Sequence, residues 1–183
     1  MQSMAMSDLD EEIERLCFRL LSDQVSRTSF IEHCVVLAGL TLECSRSALW
    51  MFTDAAAGRV MRCVAVYDRI RRCLVDAQGQ DCLEVDCFFR SLNEVGKVVA
   101  DDVQDHPATR VFTHDVATQI TVRSLIATPS YLNGRLVGEF VCTQVGETAP
   151  WSLRQLFLLR RLSVRATAAM AAMAPPEIDM SSR

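Results

Sequence analysis

The feature that most constrains the fold is the pair Asn133-Gly134, which separates two apolar runs, Val122–Leu132 and Arg135–Val145. Asn and Gly both tolerate the positive φ angles of a type I′ turn, so this pair between apolar runs is the strongest short-range signal for a β-hairpin. Pro129, near the end of the first run, indicates a bend or bulge there. The sequence therefore predicts two antiparallel strands in the second half of the chain.

A second hairpin is predicted earlier in the sequence. The runs Ser45–Thr53 and Val60–Tyr67 are strand-like and are joined by a turn that contains Gly58. Apolar residues occupy successive positions of the first run, so both of its faces are apolar. A strand in a sheet that is covered on both sides requires this pattern.

Helical spacing of apolar residues predicts three helices. They begin at Ser7 or Asp8, at Ser26 or Thr28, and at Ser152, because Ser, Thr and Asp side chains accept hydrogen bonds from the free amides of a first helical turn. Apolar residues recur on one face of the first and last helices. The second helix is apolar nearly all round, which predicts that it is well buried.

The segment between the hairpins is irregular. It contains the polar stretch Asp68–Gln80, a short edge strand at Cys82–Val85, a helical turn at Phe88–Leu92 and a weakly patterned short helix at Val111–Ile120. Two hairpins with a helical insertion favour an α+β fold. We expect one antiparallel sheet of about five to six strands, with the N- and C-terminal helices on one face and the insertion on the other.

Composition excludes several classes of function. The formal net charge of −4 shows no basic excess, so a nucleic-acid partner is not expected. The acidic N-terminus lacks the apolar run of a secretory signal. The longest uncharged stretches, Cys34–Leu42 and Ala166–Pro176, are too short to cross a membrane. We therefore expect a cytoplasmic protein whose eight cysteines are mostly buried thiols, with no metal site.

Several short strings resemble a known family. Val122–Ser152 contains Ser124-Leu125 before Pro129, then the Asn-Gly turn, a mid-strand Gly138, and Trp151-Ser152 at the start of the last helix. This order resembles GAF domains. The resemblance implies domain limits of 1–25 for an N-terminal tail and amphipathic helix, 26–173 for the GAF domain with its C-terminal helix, and 174–183 for a disordered tail.

The resemblance also implies a function. GAF domains commonly bind small molecules and act in bacterial-type signal transduction, here through a partner chain, since no output domain is encoded. The chain lacks the Asn-Lys…Phe…Asp-Glu string of cyclic-nucleotide members, the Cys-His pair of bilin-binding members and the cysteine pattern of free methionine sulfoxide reductases. Thr143-Gln144 replaces the Glu-His of some sensors. We therefore expect no enzymatic activity, and the ligand and any cofactor stay unidentified.

A ligand pocket, if present, is expected between the sheet and residues 86–120. Such pockets are mostly apolar with a few convergent polar groups. An inward-facing Arg123 would favour an anion, although a solvated edge charge is an equal alternative. The candidate lining residues are Trp50, Phe52, Tyr67, Phe88, Phe89, Phe112, His114, Arg123 and Thr143.

The terminal helices carry opposite charges, acids on the first and arginines on the last. This pattern predicts that they lie side by side, within one chain or between two chains of a homodimer. GAF dimers commonly form through such helices. The residues assigned to the dimer helices are Leu9, Ile13, Leu16, Leu20, Leu159, Leu162 and Ala166.

Two other functions stay open at this point. One is a protein-interaction module that binds no ligand. The other is a thiol-based redox sensor or reductase that uses Cys82 or Cys87. Acidic neighbours of these two cysteines oppose it, because they raise the pKa of a thiol.

Overall fold

The computed structural model describes residues 6–55, 58–76, 81–83, 86–110 and 121–173. The predicted helix Val111–Ile120 and the predicted tail 174–183 lie outside these ranges. The helices are α1 (Met6–Leu21), α2 (Arg27–Leu42), α3 (Asp86–Arg90), a π-helical turn (Ser91–Val95) and α4 (Leu153–Ala172). The strands are β1 (Arg46–Ala55), β2 (Gly58–Asp68), β3 (Cys73–Val75), β4 (Asp81–Leu83), β5 (Val98–Ala100), β6 (Val122–Leu132) and β7 (Arg135–Val145).

The strands described form one antiparallel sheet in the order β3-β2-β1-β7-β6-β5, and β4 also pairs with β2. The two predicted hairpins, β1–β2 and β6–β7, meet along β1 and β7 at the centre of the sheet. The expected α+β class is therefore confirmed. β3 was not expected, because it lies in the polar stretch after β2, where Leu74 pairs with Tyr67.

Local signals explain how the hairpins form. Asn133 and Gly134 have φ angles of 50° and 74°, as a type I′ turn requires. The bend predicted near Pro129 is present as a change of register between Ser130 and Tyr131. In the other hairpin, Val64 of β2 has no partner in β1, because Leu49 pairs with Ala65 and Trp50 with Cys63. This β-bulge reverses which residues of β2 face each side of the sheet.

Helices α1, α2 and α4 form two layers on one face of the sheet. α2 and α4 pack on the strands, and α1 packs on α2 and α4. Ser26 caps α2, and Ser152 forms a capping box with Gln155 at the start of α4, as the sequence predicts. No helix in the described ranges combines the length and the apolar composition that a bilayer crossing requires.

Two glycines permit close approaches to the sheet. A Cβ atom on Gly39 of α2 would lie 2.7 Å from the Tyr67 ring. A Cβ atom on Gly138 of β7 would collide with the carbonyl oxygen of Trp50 in β1. The missing side chain of Gly138 therefore lets the two central strands approach, which agrees with the predicted role of a mid-strand glycine.

Candidate functional site

The face of the sheet opposite α2 and α4 is the candidate site, and strand alternation decides which residues point to it. On β7, Phe140 and Cys142 pack in the core beneath the helices. Successive strand residues point to opposite faces, so Glu139, Val141 and Thr143 point to the other face. Val141 indeed belongs to the second core, on that face. We call this surface the distal face.

The helical insertion covers the distal face. Phe88 of α3 and Leu92 of the π-helical turn are buried against it. The ring of Phe89 meets the ring of Phe52 edge to face, with their centroids 5.6 Å apart. The Tyr131 hydroxyl donates a hydrogen bond to the Leu92 carbonyl oxygen at 3.1 Å, which ties the cover to β6. An aromatic cover therefore lies over part of the sheet.

Glu139 is the most unusual residue on the distal face. Its side chain is 1% exposed, and among the described residues its Oε2 atom has no hydrogen-bond partner. Burial raises the pKa of this carboxyl to about 8, because the charged form loses its hydration. Buried polar atoms normally have hydrogen-bond partners. A buried carboxyl oxygen without one therefore indicates a position where a ligand can supply the missing hydrogen bond.

The register of the sheet places Glu139 directly beside Trp50. The two residues are paired across β7 and β1, and Trp50 packs against the distal core. Trp50 and Phe52 are only half-buried, so solvent lies one side chain away from the carboxyl. A carboxyl next to partly exposed aromatic rings is a chemically suitable receptor for a polar organic molecule.

The other end of the distal face holds a closed ion pair. Arg46 and Asp68 are 2% and 1% exposed, and the Arg46 Nη2 and Nε atoms donate to Asp68 Oδ2 at 2.9 and 3.2 Å. The Arg71 backbone amide donates to Asp68 Oδ1 at 2.9 Å. Burial acts to raise the pKa of Asp68, but the hydrogen bonds from Arg71 and Arg46 and the Arg46 charge outweigh it and lower that pKa. The Asp68 carboxylate therefore has its hydrogen-bond partners within the protein.

The structure brings several of the predicted lining residues together. Trp50, Phe52 and Phe88 contribute to the distal core, Phe89 contacts Phe52, and Thr143 points to the same face from β7. The Oγ1 atom of Thr143 is buried and has no partner among the described residues.

Other predicted lining residues lie elsewhere. Tyr67 packs beneath the helices against Gly39, on the opposite face of the sheet. Its assignment to the pocket was wrong, because the bulge at Val64 changes which residues of β2 face each side. Phe112 and His114 lie outside the described residues.

Arg123 already has an anion within the protein. Its Nη2 atom donates to Asp102 Oδ2 at 3.2 Å, although its buried Nε atom has no partner among the residues described. Asp102 also accepts a hydrogen bond from the backbone amide of Gln104, and Asp101 accepts one from the backbone amide of Trp151. These two aspartates therefore cap loops and anchor the start of α4. The Arg123 charge is therefore already compensated by Asp102 and does not require an anionic ligand.

Glu139, Arg46 and Asp68 are not among the residues that the sequence predicts for the site. A signal for Glu139 was present, because it is a lone acid in the apolar run Leu136–Cys142. Both faces of that run are covered, so an acid within it had to be buried on one of them.

The residues assigned to the dimer helices are placed inside one chain. Leu9, Ile13, Leu16, Leu20, Leu159, Leu162 and Ala166 all belong to the core between α1, α2 and α4. They are therefore not available to contact a second chain. The opposite charges of the two helices also meet within the chain, since Arg161 contacts Asp10 at 2.6 Å and Arg165 contacts Glu14 at 2.7 Å.

The remaining candidates for chemistry are potential metal ligands, the cysteines and a further groove. No group of three or more potential metal ligands occurs in the described part of the chain. Burial raises the pKa of the Cys34 and Cys142 thiols, which disfavours the reactive thiolate. Cys73 and Cys87 are exposed. A groove of about 260 Å³ lies at the sheet edge between α2, β2 and β3, away from the predicted pocket.

Comparison with known proteins agrees with this architecture. The GAF domain model matches residues 26–170. No curated protein sequence matches the chain. The phycocyanobilin-bound GAF domain from a cyanobacterial phytochrome is similar in structure, with a TM-score of 0.71, 15% identity, and coverage of 93% of this chain and 96% of that one.

Two further solved structures show the same fold. The GAF domain from an Acinetobacter phosphoenolpyruvate-protein phosphotransferase has a TM-score of 0.69 and 12% identity, with 95% of this chain and all of that one (100%) covered. Free methionine-R-sulfoxide reductase from Neisseria meningitidis, in complex with its substrate, has a TM-score of 0.66 and 13% identity, with 94% and 93% covered. At these identities the likeness concerns the fold. Together with the family match over most of its length, it shows that this chain belongs to the GAF domain family.

Proposed function

We propose that this protein is a sensor GAF domain that binds a small molecule on the distal face and signals through a partner protein in the cytoplasm. The observation that carries the proposal is the buried Oε2 atom of Glu139, which has no partner among the residues that the structure describes. An unsatisfied buried polar group costs roughly 1–3 kcal/mol, and a ligand that satisfies it recovers part of that cost. The Thr143 Oγ1 atom on the same face likewise has no partner within the described ranges.

Native mass spectrometry of gently purified protein tests this proposal. We expect a reproducible added mass that is retained by the wild type and lost in Trp50→Ala. Val64→Ala is the control, because Val64 is a surface residue of the neighbouring strand. If no added mass appears, and no member of a panel of cationic, neutral and anionic metabolites shifts the melting temperature, the sensor proposal fails.

A protein-interaction module is the second candidate, and an exposed stripe on α4 favours it. Leu153, Phe157 and Val164 are 71%, 57% and 59% exposed and lie on one side of the helix. Such a stripe is suited to a second copy of the chain, so the homodimer is proposed through this surface in place of the buried residues.

Light scattering after size exclusion distinguishes the interaction surface from the ligand site. If the stripe forms a dimer, Phe157→Glu should yield a monomer, whereas Val95→Glu should stay dimeric. Val95 is a comparably exposed apolar residue on the insertion, at 66%. A wild-type protein that is monomeric at every concentration would remove the dimer from this proposal and leave the ligand site untouched.

A further inference from the structure

The chemistry around Glu139 narrows the class of ligand, if the distal face is the sensing site as proposed above. An ionised carboxylate has only hydrogen-bond acceptors to offer. Glu139 Oε2 has no donor among the described residues, and the residues paired with Glu139 across the two neighbouring strands are Trp50 and Pro129. Neither of these two side chains provides an opposite charge or a strong ionic partner for Glu139.

An anionic ligand fits this position less well than a cation does. It would repel the ionised form of the carboxyl and could accept only one hydrogen bond from the neutral form. Arg46 and Arg123 do not compensate, because Arg46 is paired with Asp68 and Arg123 with Asp102. These two positive charges are therefore already used within the protein.

The aromatic neighbours favour a cation. Side chains that are paired across two antiparallel strands have Cβ atoms about 4.5–5.5 Å apart, so the Trp50 ring lies within reach of a group bound to Glu139. Phe52 follows on the same face of β1, with Phe89 against it. The faces of aromatic rings attract ammonium and guanidinium groups, and the attraction is strongest for Trp.

We propose that Glu139 and Trp50 form a receptor for an organic cation that carries N–H donors, of the alkylguanidinium or alkylammonium class. The carboxylate accepts hydrogen bonds from the cation, and the Trp50 ring contacts its charged face. A planar guanidinium can donate two parallel hydrogen bonds to one carboxylate, so this group makes the better match of the two.

Binding of such a cation changes the protonation of Glu139. Below pH 8 the free protein holds this carboxyl mainly in its neutral form, because burial raises its pKa to about 8. A bound cation favours the ionised form, so Glu139 gives one proton to the buffer when the cation binds. Affinity should therefore rise with pH between about 6 and 8. No charged side chain faces Glu139 from the residues paired with it on β1 and β6, and burial alone accounts for its raised pKa.

Methylguanidinium is a suitable probe, with N-methylurea as its neutral isostere and acetate as an anion. The chain contains two tryptophans, so the Trp151→Phe variant leaves Trp50 as the fluorescent reporter. This substitution removes a buried indole N–H that has no partner among the described residues, and it keeps the Trp151 backbone bond to Asp101. We expect methylguanidinium to quench Trp50 fluorescence in a saturable manner, and N-methylurea and acetate to bind at least about tenfold more weakly.

Calorimetry in two zwitterionic buffers of different protonation enthalpy measures how many protons are released when the probe binds. At pH 7 we expect release of close to one proton per methylguanidinium bound. Glu139→Gln should abolish this release and weaken binding by at least about tenfold. Glu147→Gln is the matched control, because Glu147 is exposed beyond the end of β7, and it should bind as the wild type does. Unfolding curves of both variants show that lost binding is not lost structure.

Three results would overturn the cation proposal: no saturable effect of methylguanidinium, equal binding of N-methylurea or acetate, or unchanged binding and proton release in Glu139→Gln. The sensor proposal fails separately. If native mass spectrometry reveals a bound neutral or anionic molecule, the sensor stands and the cation proposal falls. If neither an added mass nor any probe binds, both fall.

Discussion

The two ends of the distal face each bury a carboxyl group in a different way. At one end, Asp68 is held by the Arg46 guanidinium and by a backbone amide, and its pKa is lowered. At the other end, Glu139 is equally buried, its Oε2 atom has no partner in the described part of the chain, and its pKa is raised to about 8. At equal burial, the hydrogen-bond and charge partners decide whether the fold favours the ionised or the neutral form of a carboxyl.

This comparison assigns different roles to the two ends. A buried charge with its partners in place connects β1 to β2 and holds the sheet together. A buried carboxyl without partners costs stability, and the protein tolerates that cost at one position on a face lined by aromatic rings. We therefore expect the Asp68 end to contribute to stability and the Glu139 end to binding.

Arg46→Ala should have the largest effect on stability. It leaves Asp68 buried without its main partner, which typically costs about 3–5 kcal/mol. Urea unfolding at pH 7 measures the loss of free energy. Arg71→Ala is the control. The Arg71 side chain is 63% exposed, and its Nε atom lies 3.9 Å from Asp68 Oδ2, which is too far for a hydrogen bond. Its loss should therefore cost less than about 1 kcal/mol. Equal losses in the two variants would contradict the role assigned to the buried pair.

Glu139→Gln should stabilise the protein at high pH. The folded-state pKa of Glu139 is raised, so its contribution to stability is complete below about 4.5, the ordinary value, and is lost as pH rises towards about 8. One such group gives a slope of at most about 1.4 kcal/mol per pH unit, which amounts to about 3–4 kcal/mol between pH 5 and pH 8. Urea unfolding between pH 5 and pH 8 measures it, and the variant should lose this slope. Asp68 acts in the opposite direction, since its lowered pKa makes its stabilisation disappear as pH falls.

Gly138→Ala should disturb the Glu139 end through the backbone. The added Cβ atom would collide with the Trp50 carbonyl oxygen, so β1 and β7 must separate. Overpacking of this kind costs roughly 1–3 kcal/mol, and methylguanidinium binding should weaken as well. Thermal unfolding and the Trp50 titration give the two readouts. A variant with unchanged stability and binding would show that the close approach of these strands is not needed.

Asp10→Asn should have the smallest effect. Asp10 and Arg161 form a bidentate pair at 2.6 and 3.0 Å, but both side chains are partly exposed, unlike those of the Arg46–Asp68 pair. Exposed pairs typically contribute about 0.2–1 kcal/mol and weaken in salt. Thermal unfolding at low and high salt measures the difference. A loss as large as that of Arg46→Ala would show that burial is not what separates the two pairs.

Local signals predicted most of the fold. The Asn-Gly turn, the caps of α2 and α4, and the alternating strands depend on neighbours within a few residues, and these predictions are confirmed. β3 escaped detection because its exposed, three-residue ladder leaves little apolar pattern.

The candidate site was harder to predict from the sequence than the fold was. Trp50, Phe52 and Phe88 do contribute to the distal core, because aromatic residues in covered segments are limited in where they can lie, but their role in a ligand pocket stays a prediction. Tyr67 was misplaced because the bulge at Val64 is invisible in an alternating pattern. Glu139 was missed because its burial depends on β1 and β6 pairing on both sides of it. The apolar seams of α1 and α4 were recognised, but a seam does not say whether its partner belongs to the same chain.

The meeting of the two hairpins along β1 and β7 also has a consequence for the rate of folding. Each hairpin closes a short loop, whereas the central ladder joins Arg46 to Thr143, across almost a hundred residues of intervening chain. Contacts between distant residues carry a larger entropic cost before they yield any stabilisation, so we expect the hairpins to form early and the central ladder to limit the rate. Comparing folding rates of Ala48→Gly in β1 with those of Ser130→Gly in β6 would show which pairing is present in the transition state.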